Sequence, residues 1–296
     1  MKHIFLNLKR FDVPKEFGGV NGIADIREWG GYIVKSTQDR LERYSREDVD
    51  FTMFFPEMHL MGAMAVKNMH SSIVIGCQSV FRMDVQPGEN FGAFTTERPA
   101  AAMAAAGCRA TIIGHCEERG LLNGVLKEAG VTDIDAVNRI LNQEVGHAVD
   151  RGMKVLYCIG ETSEEQEDWQ KILGKQLELG LKDVDLSKVI IAYEPIWSIG
   201  PGKVPAGKEY ITMIARFVKE RTGGLDIVYG GGLKQENAEM LASIDEIDGG
   251  LIALTRFKGE IGFYPDEYLD IVDRYMRAVI AKDGTHAEHW IKEKAE

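Results

Sequence analysis

Apolar positions along this chain fall into two alternating patterns. Short runs rich in β-branched residues recur as HIFLNL (3–8), FTMFF (51–55), SIVIG (72–76), ATIIG (110–114), KVLYCIG (154–160), VIIAYE (189–194), DIVYGG (226–231) and GLIAL (250–254). They are continuous rather than alternating, the pattern of strands buried on both faces of a parallel sheet. The longer gaps carry helical periodicity, as in DAVNRILNQEVGHAVDRG (135–152) and EYITMIARFVKERTGG (209–224), and both segments end in glycine, a common helix stop. Eight β/α units over roughly 260 residues predict a (β/α)8 barrel of the α/β class, with an open doubly wound sheet as the rival. No linker or low-complexity stretch interrupts them. Residues 1–281 therefore read as one barrel domain, and residues 282–296, KDGTHAEHWIKEKAE, as a polar helical tail.

In such a barrel the C-terminal strand ends face one mouth, so the polar residues there become candidates for chemistry. Asn7 and Lys9 close the first run, His115 follows the fourth, Glu194 ends the sixth, and YGGG (Tyr229 to Gly232) follows the seventh. Singly, each has a plain structural use: Lys9 as a surface charge, His115 as a helix start, Asn7 and YGGG as turn formers. Jointly they suit proton abstraction beside a carbonyl. A carboxylate at an apolar lip serves as base, a neutral imidazole polarises a carbonyl, and a lysine holds the developing oxyanion. Glycine-rich turns let backbone amides approach a phosphate.

Composition narrows the partners. The 46 acidic residues against 35 basic ones give a net charge of −11. That argues against nucleic acid or an anionic membrane as the main partner, but leaves room for an anionic small substrate in a locally positive pocket. The four cysteines, Cys77, Cys108, Cys116 and Cys158, show no CxxC spacing, and no His/Asp/Glu cluster has ligand spacing along the chain. Neither metal nor cofactor is expected. The N-terminal apolar run is short for a signal peptide and no stretch is long enough to span a bilayer, so a reducing, cytoplasmic compartment is expected.

The motifs NLK, GAFTTE, GHCEER, CIGET, AYEPIWSIGPGK and YGGG resemble the triosephosphate isomerase family from residue 3 to about 275. The resemblance implies an aldose–ketose isomerase with Glu194 as base, His115 as electrophile and proton shuttle, Lys9 as oxyanion stabiliser and Asn7 beside it. A carboxylate base paired with a neutral histidine is the known pattern of that family. It further implies a mobile lid from Pro195 through Trp197, Gly200 and Gly202 to Lys203. Trp197 would reach the acid of CIGET, Glu161, and the Gly200 amide would reach the phosphate. GAFTTE implies a homodimer, with Thr95 approaching the partner's site.

The departures cluster at the phosphate end. Gly232 stands where the family has serine, and Ala253 and Leu254 stand where its eighth loop has a glycine pair; with Gly231 these are the positions that the resemblance assigns to phosphate binding. Thr255, Arg256 and Lys258 follow, and Arg256 or Lys258 is expected to replace part of the lost amide cradle. Glu118 occupies a place where the family has arginine, and FKGEIGFYP (257–265) is an insertion. Three readings follow: triosephosphate isomerase itself, an isomerase of another short sugar phosphate such as a tetrulose phosphate, or a barrel that binds without catalysing. Retention of Asn7, Lys9, His115 and Glu194 together speaks against the third.

Overall fold

The computed structural model describes residues 1–131, 133, 135–200, 203–284 and 289–291. Its strands are β1 (Lys2–Asn7), β2 (Val49–Phe55), β3 (Ile73–Gln78), β4 (Ala110–Ile113), β5 (Lys154–Ile159), β6 (Val189–Tyr193), β7 (Ile227–Tyr229) and β8 (Gly249–Ile252). They close in sequence order into a barrel, with parallel pairing and with β1 bonded to both β2 and β8. Closure rules out the doubly wound alternative. The connections carry helices α1 (Trp29–Leu41), α2 (Leu60–Val66), α3 (Ala100–Ala105), α4 (Cys116–Glu128), α5 (Asp135–Asp150), α6 (Trp169–Gly180), α7 (Lys208–Thr222), α8 (Ala238–Ala242) and α9 (Pro265–Asp283). Each apolar run falls on a strand, but β7 and β8 stop early, so that Ala253 and Leu254 lie beyond the ladder and are half-buried. The described residues divide into two compact units, residues 1–76 with 232–296, and residues 77–231.

In the first unit Ile4 of β1 stands opposite Phe51 of β2 and Gly250 of β8. Every residue of β2 is buried, as its unbroken apolar run requires of a strand covered on both faces. Helix α9 buries Tyr268, Ile271, Val272, Tyr275, Met276 and Val279, a stripe at three- and four-residue spacing. Its one buried acid, Asp273, is met by Arg40, Arg43 and the Tyr44 hydroxyl, so its charge is fully partnered. The expected polar tail is partly packed: Lys282 and Asp283 still belong to α9, Trp290 is buried, and its carbonyl accepts from the Ser45 N–H at 3.0 Å.

In the second unit β4, β5, β6 and β7 pair consecutively, with Ile112 opposite Leu156, Cys158 opposite Ala192, and Tyr193 opposite Tyr229. The ladder continues one step past the strands. Glu194 N–H donates to Ile159 O at 2.8 Å and Gly230 N–H to Tyr193 O at 2.6 Å. This register sets the first residues after β5, β6 and β7 side by side. Among the described residues no helix is long and apolar enough to cross a membrane.

Candidate active site

The second unit brings two of the nominated residues together. His115 is the N-cap of α4, and its Nδ1 accepts from the Glu117 N–H at 3.2 Å. A ring nitrogen that accepts carries no proton, so the neutral imidazole holds its hydrogen on Nε2. That Nε2 lies 3.0 Å from Glu194 Oε1, while Glu194 Oε2 accepts from the Cys116 N–H at 2.9 Å. Glu194 is only 2% exposed, and a carboxylate that far from water needs such donors. Room for it depends on Gly230, where a Cβ would stand 2.8 Å from Glu194 Cγ.

Behind the pair sits a second buried acid. Glu161 Oε1 accepts from Trp197 Nε1 at 2.7 Å, Tyr193 OH at 2.8 Å and Tyr210 OH at 3.1 Å. Burial pushes the Glu161 carboxyl above its usual range, partly offset by these donors. The Trp197–Glu161 contact implied by the family resemblance is therefore present. Trp197 belongs to a single 3-10 turn, Ile196–Ser198, which begins right after Pro195 and is closed by Ser198 N–H on Pro195 O at 2.8 Å. Gly200 follows at φ +114°, and Lys203 is exposed. Gly202 lies outside the described residues. Thr95 is exposed, on the loop before α3.

The first unit holds Asn7, Lys9, Gly232 and the residues after β8, while Gly231 is the last residue of the second. Lys9 has φ +40°, an uncommon conformation for a residue with a side chain, and its N–H donates to Asn7 Oδ1 at 3.0 Å. Such strain persists only where the surroundings enforce it, and it marks the end of β1 as specialised. Arg256 is engaged: its Nε donates to Glu267 Oε1 at 2.8 Å, and its guanidinium carbon stacks 3.9 Å from the Tyr264 ring centre. Thr255 Oγ1 donates to the other Glu267 oxygen at 2.8 Å. Thus the insertion is a short hairpin, bridged Arg256 to Gly262 and pinned to the first turn of α9, with Lys258 exposed at its tip. Gly232, at φ +99°, accepts from Asn237 Nδ2 at 2.8 Å through its carbonyl.

Sequence reading missed Arg119, which is 7% exposed and donates to Gly114 O (2.8 Å), Asn138 Oδ1 (2.8 Å) and Tyr157 OH (3.0 Å). It ties the ends of β4 and β5 to α4 and α5. It also missed Tyr193 and Tyr210 as partners of Glu161. One expectation is corrected in part: His115, Cys116 and Glu194 do bring potential ligand atoms within 4.8 Å of one another. Linear spacing could not show this, because Glu194 is remote from the other two in sequence. The closeness is that of a hydrogen-bonded imidazole–carboxylate pair seated on a helix N-terminus.

A closed (β/α)8 barrel that sets a neutral imidazole, placed after β4, against a buried carboxylate at the end of β6 defines a narrow class of barrel protein. The chain matches the triosephosphate isomerase family over residues 31–273, and it belongs to that family. It is 38% identical over 172 residues to the triosephosphate isomerase of Chlorobium phaeobacteroides, a match covering 54% of this chain and 64% of the relative. To that of Chlorobaculum tepidum it is 36% identical over 196 residues, covering 62% of this chain and 73% of the relative. Against several of these curated relatives, then, the chain spans a little under two thirds of their length. The crystal structure of triosephosphate isomerase from Bartonella henselae shares the fold, with a TM-score of 0.68 over 93% of this chain and 98% of that one, at 24% identity.

Proposed function

We propose that the protein interconverts D-glyceraldehyde 3-phosphate and dihydroxyacetone phosphate. The observation that carries this reading is the His115–Glu194 pair at 3.0 Å with the imidazole proton on Nε2. Glu194 takes the proton from the carbon beside the carbonyl, and the electron pair moves onto the carbonyl oxygen to give an enediolate. His115 Nε2–H donates to that oxygen and passes protons between the two oxygens. The Glu194 carboxyl proton exchanges in part with solvent before it is delivered to the neighbouring carbon. Family membership supports this assignment of roles, which follows the family's known pattern.

Lys9, at the strained end of β1, is proposed to hold the developing negative charge, with Asn7 fixing its backbone. The proposed lid is the segment that starts at Pro195 and is anchored by Trp197 on Glu161, and its closure would protect the enediolate from water. Amides at Gly200, Gly231 and Gly232, with the backbone of 253–255, receive the phosphate, and Lys258 adds positive charge to that end. The reaction needs no metal or cofactor, since imidazole and lysine provide the electrophile. Assay of the purified protein on glyceraldehyde 3-phosphate beside a panel of four-carbon ketose phosphates tests the reading. Faster turnover of a tetrulose phosphate would overturn the substrate.

The protein is further proposed to act as a homodimer through the loop that carries Thr95. The exposed Phe91 and Thr95 of this loop suit burial by a second copy. Sedimentation should show a dimer that Thr95→Glu shifts toward monomer; a wild-type monomer at assay concentration contradicts it.

A further inference from the structure

The turn that delivers His115 is held by side chains from the first turn of its own helix. Gly114 has φ +78°, and both polar groups of its backbone are bonded: its N–H donates to Glu118 Oε2 at 2.6 Å, and its carbonyl accepts from Arg119 Nε at 2.8 Å. Glu118 in turn bonds side chain to side chain with Glu144 of α5. Glu144 is 6% exposed, and its Oε2 accepts from the Ser79 hydroxyl at 3.2 Å. Ser79 has φ +64°, so strained backbone presents that hydroxyl. The charged and titratable groups facing Glu144 are Glu118 of α4 and Arg98 of the segment before α3.

Glu144 is buried and Glu118 half-buried, and two carboxyl groups bonded to each other hold one proton between them, because like charges that close cannot both persist. With Arg98 the three groups then sum to zero charge. We propose that Glu118 and Glu144 share a proton and act as positioning residues, fixing the Gly114 turn so that the His115 imidazole is aimed at Glu194. Burial, followed by the Glu118 charge, pushes Glu144 up to about 9, so the proton sits on Glu144, while Glu118 Oε2 accepts from the Gly114 N–H. Neither acid touches the reacting atoms.

The turnover part of the test rests on the proposed isomerase reaction; an amide readout does not. In 1H–15N spectra the Gly114 amide should lie well downfield in the wild type and in Glu118→Gln, which keeps an acceptor, and move upfield in Glu118→Ala. On glyceraldehyde 3-phosphate, Glu118→Ala should lose about 10-fold in kcat, less than the ~100-fold of a 1 Å misplacement, with KM nearly unchanged. Glu118→Gln should stay close to wild type. The wild-type kcat should fall as pH passes about 9, and Glu144→Gln should lack that fall. A folded Glu118→Ala enzyme with wild-type kcat, or equal alkaline limbs in wild type and Glu144→Gln, overturns the proposal. If Glu118→Ala does not fold, the Glu144→Gln profile decides. A wild type inactive on every sugar phosphate would sink the isomerase reading, while the Gly114 shifts would still judge the pair.

Discussion

A single glutamate can serve as a base or as a structural acid, and its donors decide which. Glu194 is held by His115 Nε2 and the Cys116 N–H, one donor on each oxygen, at a helix start. Glu161 is locked by three donors on one oxygen, from Trp197, Tyr193 and Tyr210, and is suited to anchoring rather than proton transfer. Glu144 differs again: it is kept protonated. Its carboxyl is raised in the folded protein from an ordinary 4.5 to about 9. A raised pKa means that the folded chain binds the proton more tightly than the unfolded one. Its stabilising contribution is therefore complete below about 4.5 and is lost as pH rises toward 9. Glu144→Gln, which cannot ionise, should melt higher than wild type at pH 8–9 by about 1 kcal/mol or more, with the gain vanishing near pH 5. Thermal melts across that range check it; a pH-independent difference would contradict the shared proton.

At the scale of elements, legibility followed burial. The eight strands could be read because strands covered on both faces leave unbroken apolar runs, and α5 and α7 because one buried face leaves a helical period. The nominated Asn7, Lys9, His115 and Glu194 do lie at strand ends, and Trp197 does reach Glu161. What stayed hidden was whatever depends on a partner far along the chain. Glu144 carried a signal that could have been used, since it falls on the buried stripe of α5 with Leu141, Val145 and Ala148. A charged residue on such a stripe calls for a partner, and Glu118, already odd for its place, was the one to find. Arg256 was nominated for anion binding on its charge and its place after the altered eighth-loop positions, and hairpin geometry sets it against Glu267. Because Arg256 and Glu267 act as one unit here, Arg256→Ala and Glu267→Ala should change KM and phosphate inhibition alike, and the double variant should add little further. Full additivity in that cycle would return Arg256 to the phosphate. Lys258, exposed at the hairpin tip, is tested beside them by the same two measurements.

For the molecule as a whole, the fold places the residues and the charge pattern bears on the proposed ligand. The strand ends of a closed parallel barrel carry the groups proposed for catalysis, and with a net charge of −11 the proposed anion site has to draw on local amides and a few cations. In the second unit His115 and Glu194 come from two separate strand ends, so the proposed activity would report on the folded chain rather than on a motif. The central claim is that Glu194 moves a carbon-bound proton. Conversion of D-glyceraldehyde 3-phosphate in deuterated water, followed by proton NMR, tests it most directly. The wild type should form dihydroxyacetone phosphate carrying solvent deuterium on carbon, and Glu194→Asp, its carboxylate withdrawn by about 1 Å, should do so on the order of 100-fold more slowly. Product formed without any deuterium, or formed as fast by Glu194→Asp as by wild type, would contradict the account.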